Sequence, residues 1–148
     1  MTDKNIHANI CNMQHMTHES LKNVENIFRA LADQSRLRIA RLLYVGGEAT
    51  VCELTDALCL PQYSVSRNLS ILRHAGIVGE KREGAWRYYS ISAKPDTFSE
   101  KLLLLIKTDL LEQQYEKDLA LLKKRLALRV EGKCVAGTVC LEYGKNNF

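Results

Sequence analysis

Between Glu48 and Ile91 the chain reads as helix, tight turn, helix and a basic two-stranded hairpin, with a cap or breaker marking each boundary. Thr50-Val51-Cys52-Glu53 has capping-box spacing: the Thr50 hydroxyl can accept from the Glu53 N–H, and Glu53 can reach back to the Thr50 N–H. This predicts a short helix through Leu58. Cys59-Leu60-Pro61 ends it, because the proline pushes Leu60 out of helical φ/ψ. A second helix is predicted from about Gln62 to Ala75, with Val65, Leu69 and Leu72 on one face and Gly76 as its C-cap. The opposite face carries Gln62, Ser64, Ser66, Arg67, Asn68 and Arg73, with no acid among them. Small hydroxyls, an amide and guanidiniums can reach phosphates and base edges in a major groove. An ordinary surface helix would share the apolar stripe, but it would lack the basic hairpin that comes next in the chain.

Ile77 to Arg82 and Trp86 to Ile91 read as two strands joined by Glu83-Gly84-Ala85, where Gly84 supplies the positive φ of a hairpin turn. Lys81, Arg82 and Arg87 cluster near the tip, where phosphates flanking the groove would lie. From Gln62 to Ile91 there are five Lys/Arg against Glu80 and Glu83, a local excess of three. The predicted class is mostly α with a small β-wing: a winged helix-turn-helix.

At 148 residues the chain is one domain by its size, large enough to bury a core without disulfides. Net charge is only +4, so attraction to DNA must come from where the basic residues sit. The longest apolar run, Leu102 to Ile106, is far short of the roughly 20 residues a membrane helix needs. Residues 1–19 are polar with no hydrophobic signal core, which places the expected protein in the cytoplasm. Five cysteines, an odd count in a reducing compartment, fit a disulfide framework poorly.

The remaining organisation is simple. Residues 1–18 form a polar arm, expected to be mobile, holding Cys11, His7, His15 and His18; residues 19–96 form the DNA-binding unit. Ser20 caps a helix with Leu21, Val24, Phe28 and Leu31 on its inner face. Asp33 caps another through about Tyr44, burying Leu37, Ala40 and Leu43 and ended by Gly46-Gly47. After Pro95-Asp96 one long helix is predicted over 97–131, roughly 50 Å at 1.5 Å per residue. Leu104, Leu111, Tyr115, Leu119 and Leu122 step along it at helix-seam spacing, which predicts homodimerisation through this helix with help from the first. Packing of the whole stripe within one subunit is the alternative. Residues 132–148 form a tail with Cys134 and Cys140.

Phe28-Arg29-Ala30-Leu31-Ala32-Asp33 followed by Arg36-Leu37-Arg38-Ile39 resembles the opening segment of the ArsR/SmtB family of metal-responsive repressors. Ser64 to Val78 resembles its recognition helix, and Gly84-Ala85-Trp86-Arg87-Tyr88-Tyr89-Ser90-Ile91 its wing; the likeness covers about residues 20–130. Asn68 stands where the family commonly has histidine. The resemblance implies a homodimer that holds a palindromic double-stranded DNA operator when effector-free and releases it when a metal or metalloid binds. No obligatory cofactor is implied.

The cysteines bear on the effector. Cys52 occupies the place of the middle thiol in the family's arsenic motif, while Thr50 and Thr55 replace the outer two, so the one-helix three-thiol site cannot form. Cys52 lies in a first helical turn, where free N–H groups favour thiolate; a small buried hydrophobe is its other reading. The resemblance allows Cys11 of the arm to join Cys52. Cys134 and Cys140, with five residues between them including Gly137, could close on one soft ion, alone or completing that set. Cys59, beside Leu58 and Leu60, reads as structural. No histidine follows His74, which removes the family's Asp/His site on the long helix. Thiol ligation selects soft ions such as arsenic(III), antimony(III), cadmium, lead or copper(I) over hard cations, and the resemblance to arsenical-operon repressors implies arsenite among them. Cadmium, lead or zinc sensing, and thiol-redox sensing through Cys134–Cys140 or Cys11–Cys52, are the alternatives. An enzyme is not expected: the chain carries no phosphate loop, no Cys-x5-Arg, and no Ser/His/Asp or paired-carboxylate constellation.

Overall fold

The computed structural model describes residues 20–108 and 113–134. Ser20 opens helix α1 (Leu21–Leu31), its hydroxyl accepting from the Asn23 N–H at 3.3 Å. Asp33 opens α2 (Gln34–Gly46) by accepting from the Arg36 N–H at 3.0 Å. The two-residue strand β1 (Ala49–Thr50) leads into α3 (Val51–Leu58), where both halves of the expected capping box form. α4 (Gln62–His74) follows, then the wing strands β2 (Val78–Glu83) and β3 (Trp86–Ile91). α5 (Phe98–Thr108) and α6 (Gln113–Leu126) complete the described elements. The antiparallel sheet has the order β1-β3-β2, with Thr50 opposite Tyr88 and Glu83 opposite Trp86 across the turn at Gly84, whose φ is 60°. It is a winged helix-turn-helix.

Val65, Leu69 and Leu72 of α4 are buried with Leu54 and Leu58 of α3 and with Ile39, Ala40 and Leu43 of α2. Burying such side chains contributes about 1.5–3 kcal/mol each, so this apolar layer fixes how α4 is presented. The end of α3 differs in detail from the sequence reading. Cys59 itself turns left-handed, φ 51°, and its N–H bonds to the Thr55 carbonyl, so the helix closes before Pro61 acts; Pro61 becomes the N-cap residue of α4.

α1 is rotated from expectation. Leu31 faces the core as expected, but it is joined there by Ile27 and Ala30, whereas Leu21 is 88% and Phe28 54% exposed. The helix carries two apolar stripes, and the spacing alone does not say which one this chain covers. Phe28 meets Phe98 edge to face, ring centroids 5.4 Å apart.

The expected 97–131 helix is also corrected at its end. α6 stops at Leu126, and Val130 bridges Lys133 around Glu131 and Gly132, both at positive φ. Tyr115 and Leu122 of the expected seam are buried, and Leu119 packs on the core, because α6 lies on α3 and α2 of its own chain. Leu104 stays exposed, and Leu111 lies outside the described residues. A methyl group at Gly46 would meet Leu122 Cδ2 at 2.7 Å, so the glycine permits the close approach.

Charged pairs fix α6 there. Arg125 Nε donates to Asp56 Oδ2 at 2.7 Å with both side chains fully buried. Arg38 reaches both oxygens of Asp118 at 2.7 Å, and Arg129 just beyond α6 reaches both oxygens of Glu53 at 2.8 Å. Burial alone would favour neutral Arg125, but the Asp56 hydrogen bond and neighbouring acids raise its pKa. Arg125→Met should therefore leave a buried carboxylate without its counter-charge and cost about 3–5 kcal/mol. Urea unfolding checks this: the midpoint should drop at unchanged slope, and Asp56→Leu added to Arg125→Met should restore most of the loss.

Candidate nucleic-acid interface

Pro61 starts α4 without a side-chain cap, and the first turn holds no acid. The outward face begins there with Gln62, Tyr63, Ser66 and Arg67, all exposed, while Ser64 is half-buried. Arg67 is in no ion pair among the described residues.

Asn68 sits differently from the sequence reading. It is 9% exposed, and its Oδ1 accepts from Arg36 Nη1 at 3.5 Å. Arg36 also donates to the Ala30 and Arg29 carbonyls, so Asn68 is the α4 end of a link running to α1 and α2. Arg73 turns toward the wing and pairs with Glu80 at 2.5 Å; Arg87 approaches the same carboxylate at 3.7 Å. Lys81 pairs with Glu83, which lowers the Glu83 carboxyl below the ordinary range and raises the lysine. Arg82 donates to the Gly84 carbonyl at 3.2 Å and remains exposed at the tip. A count of basic residues suggests five available cations; pairing leaves Arg67 and Arg82 the least neutralised.

Sequence reasoning missed Tyr63, which is 77% exposed on the same face as Arg67, one turn away. Its spacing from Arg67 was the available signal.

A second cluster lies where the segment after α6 meets the start of α3. Cys52 is half-buried in the first turn of α3. Cys134, only 2% exposed, has its backbone N–H donating to the Tyr88 hydroxyl at 2.9 Å. Its Sγ accepts from Thr50 Oγ1 at 3.6 Å and Arg125 Nη2 at 3.9 Å. Arg129 stacks over the Tyr88 ring, 5.3 Å from its centroid, while holding Glu53. Burial pushes the Glu53 carboxyl up, but hydrogen bonds from Arg129 and Thr50 outweigh it, and the group titrates below the ordinary glutamate range. One short segment thus touches the N-terminus of α3 and the wing strand β3. Cys59 Sγ donates to the Asp56 carbonyl at 3.7 Å, in keeping with a structural role. Cys11, Cys140 and the arm histidines lie outside the described residues, and among the described residues no three His, Cys, Asp or Glu side chains group as a metal site.

The family description "Bacterial regulatory protein, arsR family" matches residues 33–80, the span from the cap of α2 into the wing. A relative named arsenic resistance transcriptional regulator ArsR2, from Pseudomonas putida, is 33% identical over 116 residues, 78% of this chain and 95% of its own length. The chain belongs to the ArsR family. An uncharacterised HTH-type transcriptional regulator of Methanocaldococcus jannaschii is 41% identical over 73 residues, 49% of this chain and 82% of its own. Among solved structures, the transcriptional repressor BigR from Xylella fastidiosa superimposes with a TM-score of 0.52 at 27% identity, covering 60% of this chain and 84% of that one. The chain is thus a transcriptional repressor of the ArsR family, which binds double-stranded DNA; this is a class of regulators rather than enzymes. No helix among the described residues is long and apolar enough to cross a membrane.

Two α4 substitutions should separate reading from support. Arg67→Ala should cost about 1–3 kcal/mol of operator binding and relax sequence preference. Asn68→Ala should leave preference intact and instead lower folding stability by about 1 kcal/mol, the usual worth of a hydrogen bond. Motifs selected from a randomised duplex, alongside urea midpoints, check both; equal loss of preference would return Asn68 to the reading face.

Proposed function

We propose that this repressor holds a palindromic operator as a homodimer and releases it when arsenite, or a related thiophilic ion, binds cysteine thiolates that include Cys52 and Cys134. One observation carries the reading. Thr50 stands where the arsenic motif of similar repressors has an outer thiol, and the chain's own Cys134 is seated against Thr50 at 3.6 Å. The tail therefore supplies a sulfur near the place where the helix lacks one, two residues from Cys52. A trivalent arsenical needs a third thiolate, for which Cys11 and Cys140 are the candidates. The arsenic-resistance name of the Pseudomonas putida relative agrees with this effector.

Release requires the ion to bind the DNA-free conformation more tightly than the bound one. Cys134 is tied to the wing through Tyr88 and to α3 through Thr50, so drawing its sulfur toward Cys52 strains both elements that set the reading head. Coupling of about 1–3 kcal/mol per site is typical, and two sites per dimer approach the roughly 5.5 kcal/mol that reverses a 99:1 population. Cys52→Ser and Cys134→Ser should keep operator affinity within about twofold and lose release by arsenite, measured by fluorescence anisotropy across arsenite, cadmium, lead and zinc. Release by peroxide without any ion would favour the redox reading. Unimpaired arsenite release in both variants would overturn the site.

The homodimer is supported by apolar side chains left uncovered on α1 and α5: Leu21, Phe28, Leu104 and Leu105. Phe28→Glu or Leu105→Glu should convert the dimer to monomer in sedimentation at micromolar concentration, because each places an unpaired charge in an apolar contact. A wild-type monomer under those conditions would overturn the assembly.

A further inference from the structure

We propose that Tyr63 is a base-reading residue whose ring packs against the C5-methyl of a thymine in each half-site. The inference deepens the DNA-binding reading of α4 and rests on it. Tyr63 is the second residue of α4, and recognition helices place their N-terminal residues against base edges. Its ring is the one large apolar group on a face otherwise made of Gln62, Ser66 and Arg67. At 77% exposed it meets almost nothing in its own chain, whereas the other tyrosines of the wing and α6, Tyr88, Tyr89 and Tyr115, are buried.

Duplex DNA suits this position better than an apolar protein partner. Arg67 lies one helical turn away on the same side, the first turn of α4 has no acid, and the helix starts without a side-chain cap. These are the surroundings of a group that approaches phosphates and bases. Within a major groove, the thymine methyl is the apolar feature a ring can read, and hydrogen-bond donors cannot imitate that contact. Gln62 and Arg67 would read polar edges on either side of it, so the tyrosine adds a discrimination that those polar side chains lack.

The test uses the full chain. Duplexes are selected from a randomised library, and anisotropy is then measured on the selected duplex, on the same duplex with deoxyuridine replacing each half-site thymine in turn, and on a random-sequence duplex. Wild type should lose about tenfold in affinity at one thymine per half-site when its methyl is removed. Tyr63→Phe should behave like wild type. Tyr63→Ala should bind the selected duplex about tenfold more weakly, show no further loss with deoxyuridine, and bind random duplex as wild type does. An unchanged thymine preference in Tyr63→Ala would overturn the proposal, as would equal weakening on selected and random duplexes, the mark of a phosphate contact. Loss in Tyr63→Phe matching that in Tyr63→Ala would assign the hydroxyl and overturn the methyl contact. If wild type selects no motif while still binding duplex, the proposal falls and DNA binding stands; if it binds no duplex, the reading beneath it falls too.

Discussion

The fully buried pair between Arg125 and Asp56 determines where α6 and the described residues just after it sit. Two charges removed from water are favourable only with close geometry, so α6 has one register on α3, not a range of sliding positions. That register brings Arg129 to Glu53, lets Leu122 fill the gap above Gly46, and delivers Cys134 to Thr50. The apolar stripe of α6 could pack in several ways; the ion pairs choose among them.

This explains which parts of the structure were legible in the sequence. The caps at Ser20, Asp33 and Thr50, the inner face of α4 and the turn at Gly84 depend on residues within one turn of each other, and all appear where local chemistry puts them. Features needing a distant partner were less legible. Leu21, Val24 and Phe28 gave as good an apolar stripe as Ile27 and Ala30, with Leu31 common to both, and the packing of α2 and α4 decides between them. Tyr115 and Leu122 had seam spacing, yet Asp56 and Glu53, some seventy residues upstream, draw their helix inward. Asn68 carried the right chemistry for bases, and Arg36 claims it instead.

The same contrast separates the two candidate sites. The nucleic-acid face is local, built on consecutive turns of α4, and most of it could be named from composition and period. The thiol cluster is assembled from β1, α3, β3 and the segment after α6, so no spacing rule could pair Cys134 with Thr50. A sequence reading could name the cysteines; only the fold says which neighbours they have.

The charges that dock the segment after α6 respond unequally to protons. Arg125 and Arg129 are both raised above an already high value, so alkaline solution leaves these two cations charged. Glu53 is lowered, so its contribution is whole above the ordinary glutamate value of about 4.3 and disappears as the pH falls through its native value. Of the ion pairs beside Cys134, the one between Arg129 and Glu53 is therefore weakened by acid rather than by base. A thiol that acts as thiolate is favoured by this asymmetry, because thiolates form on the alkaline side, where the Glu53 pair is whole.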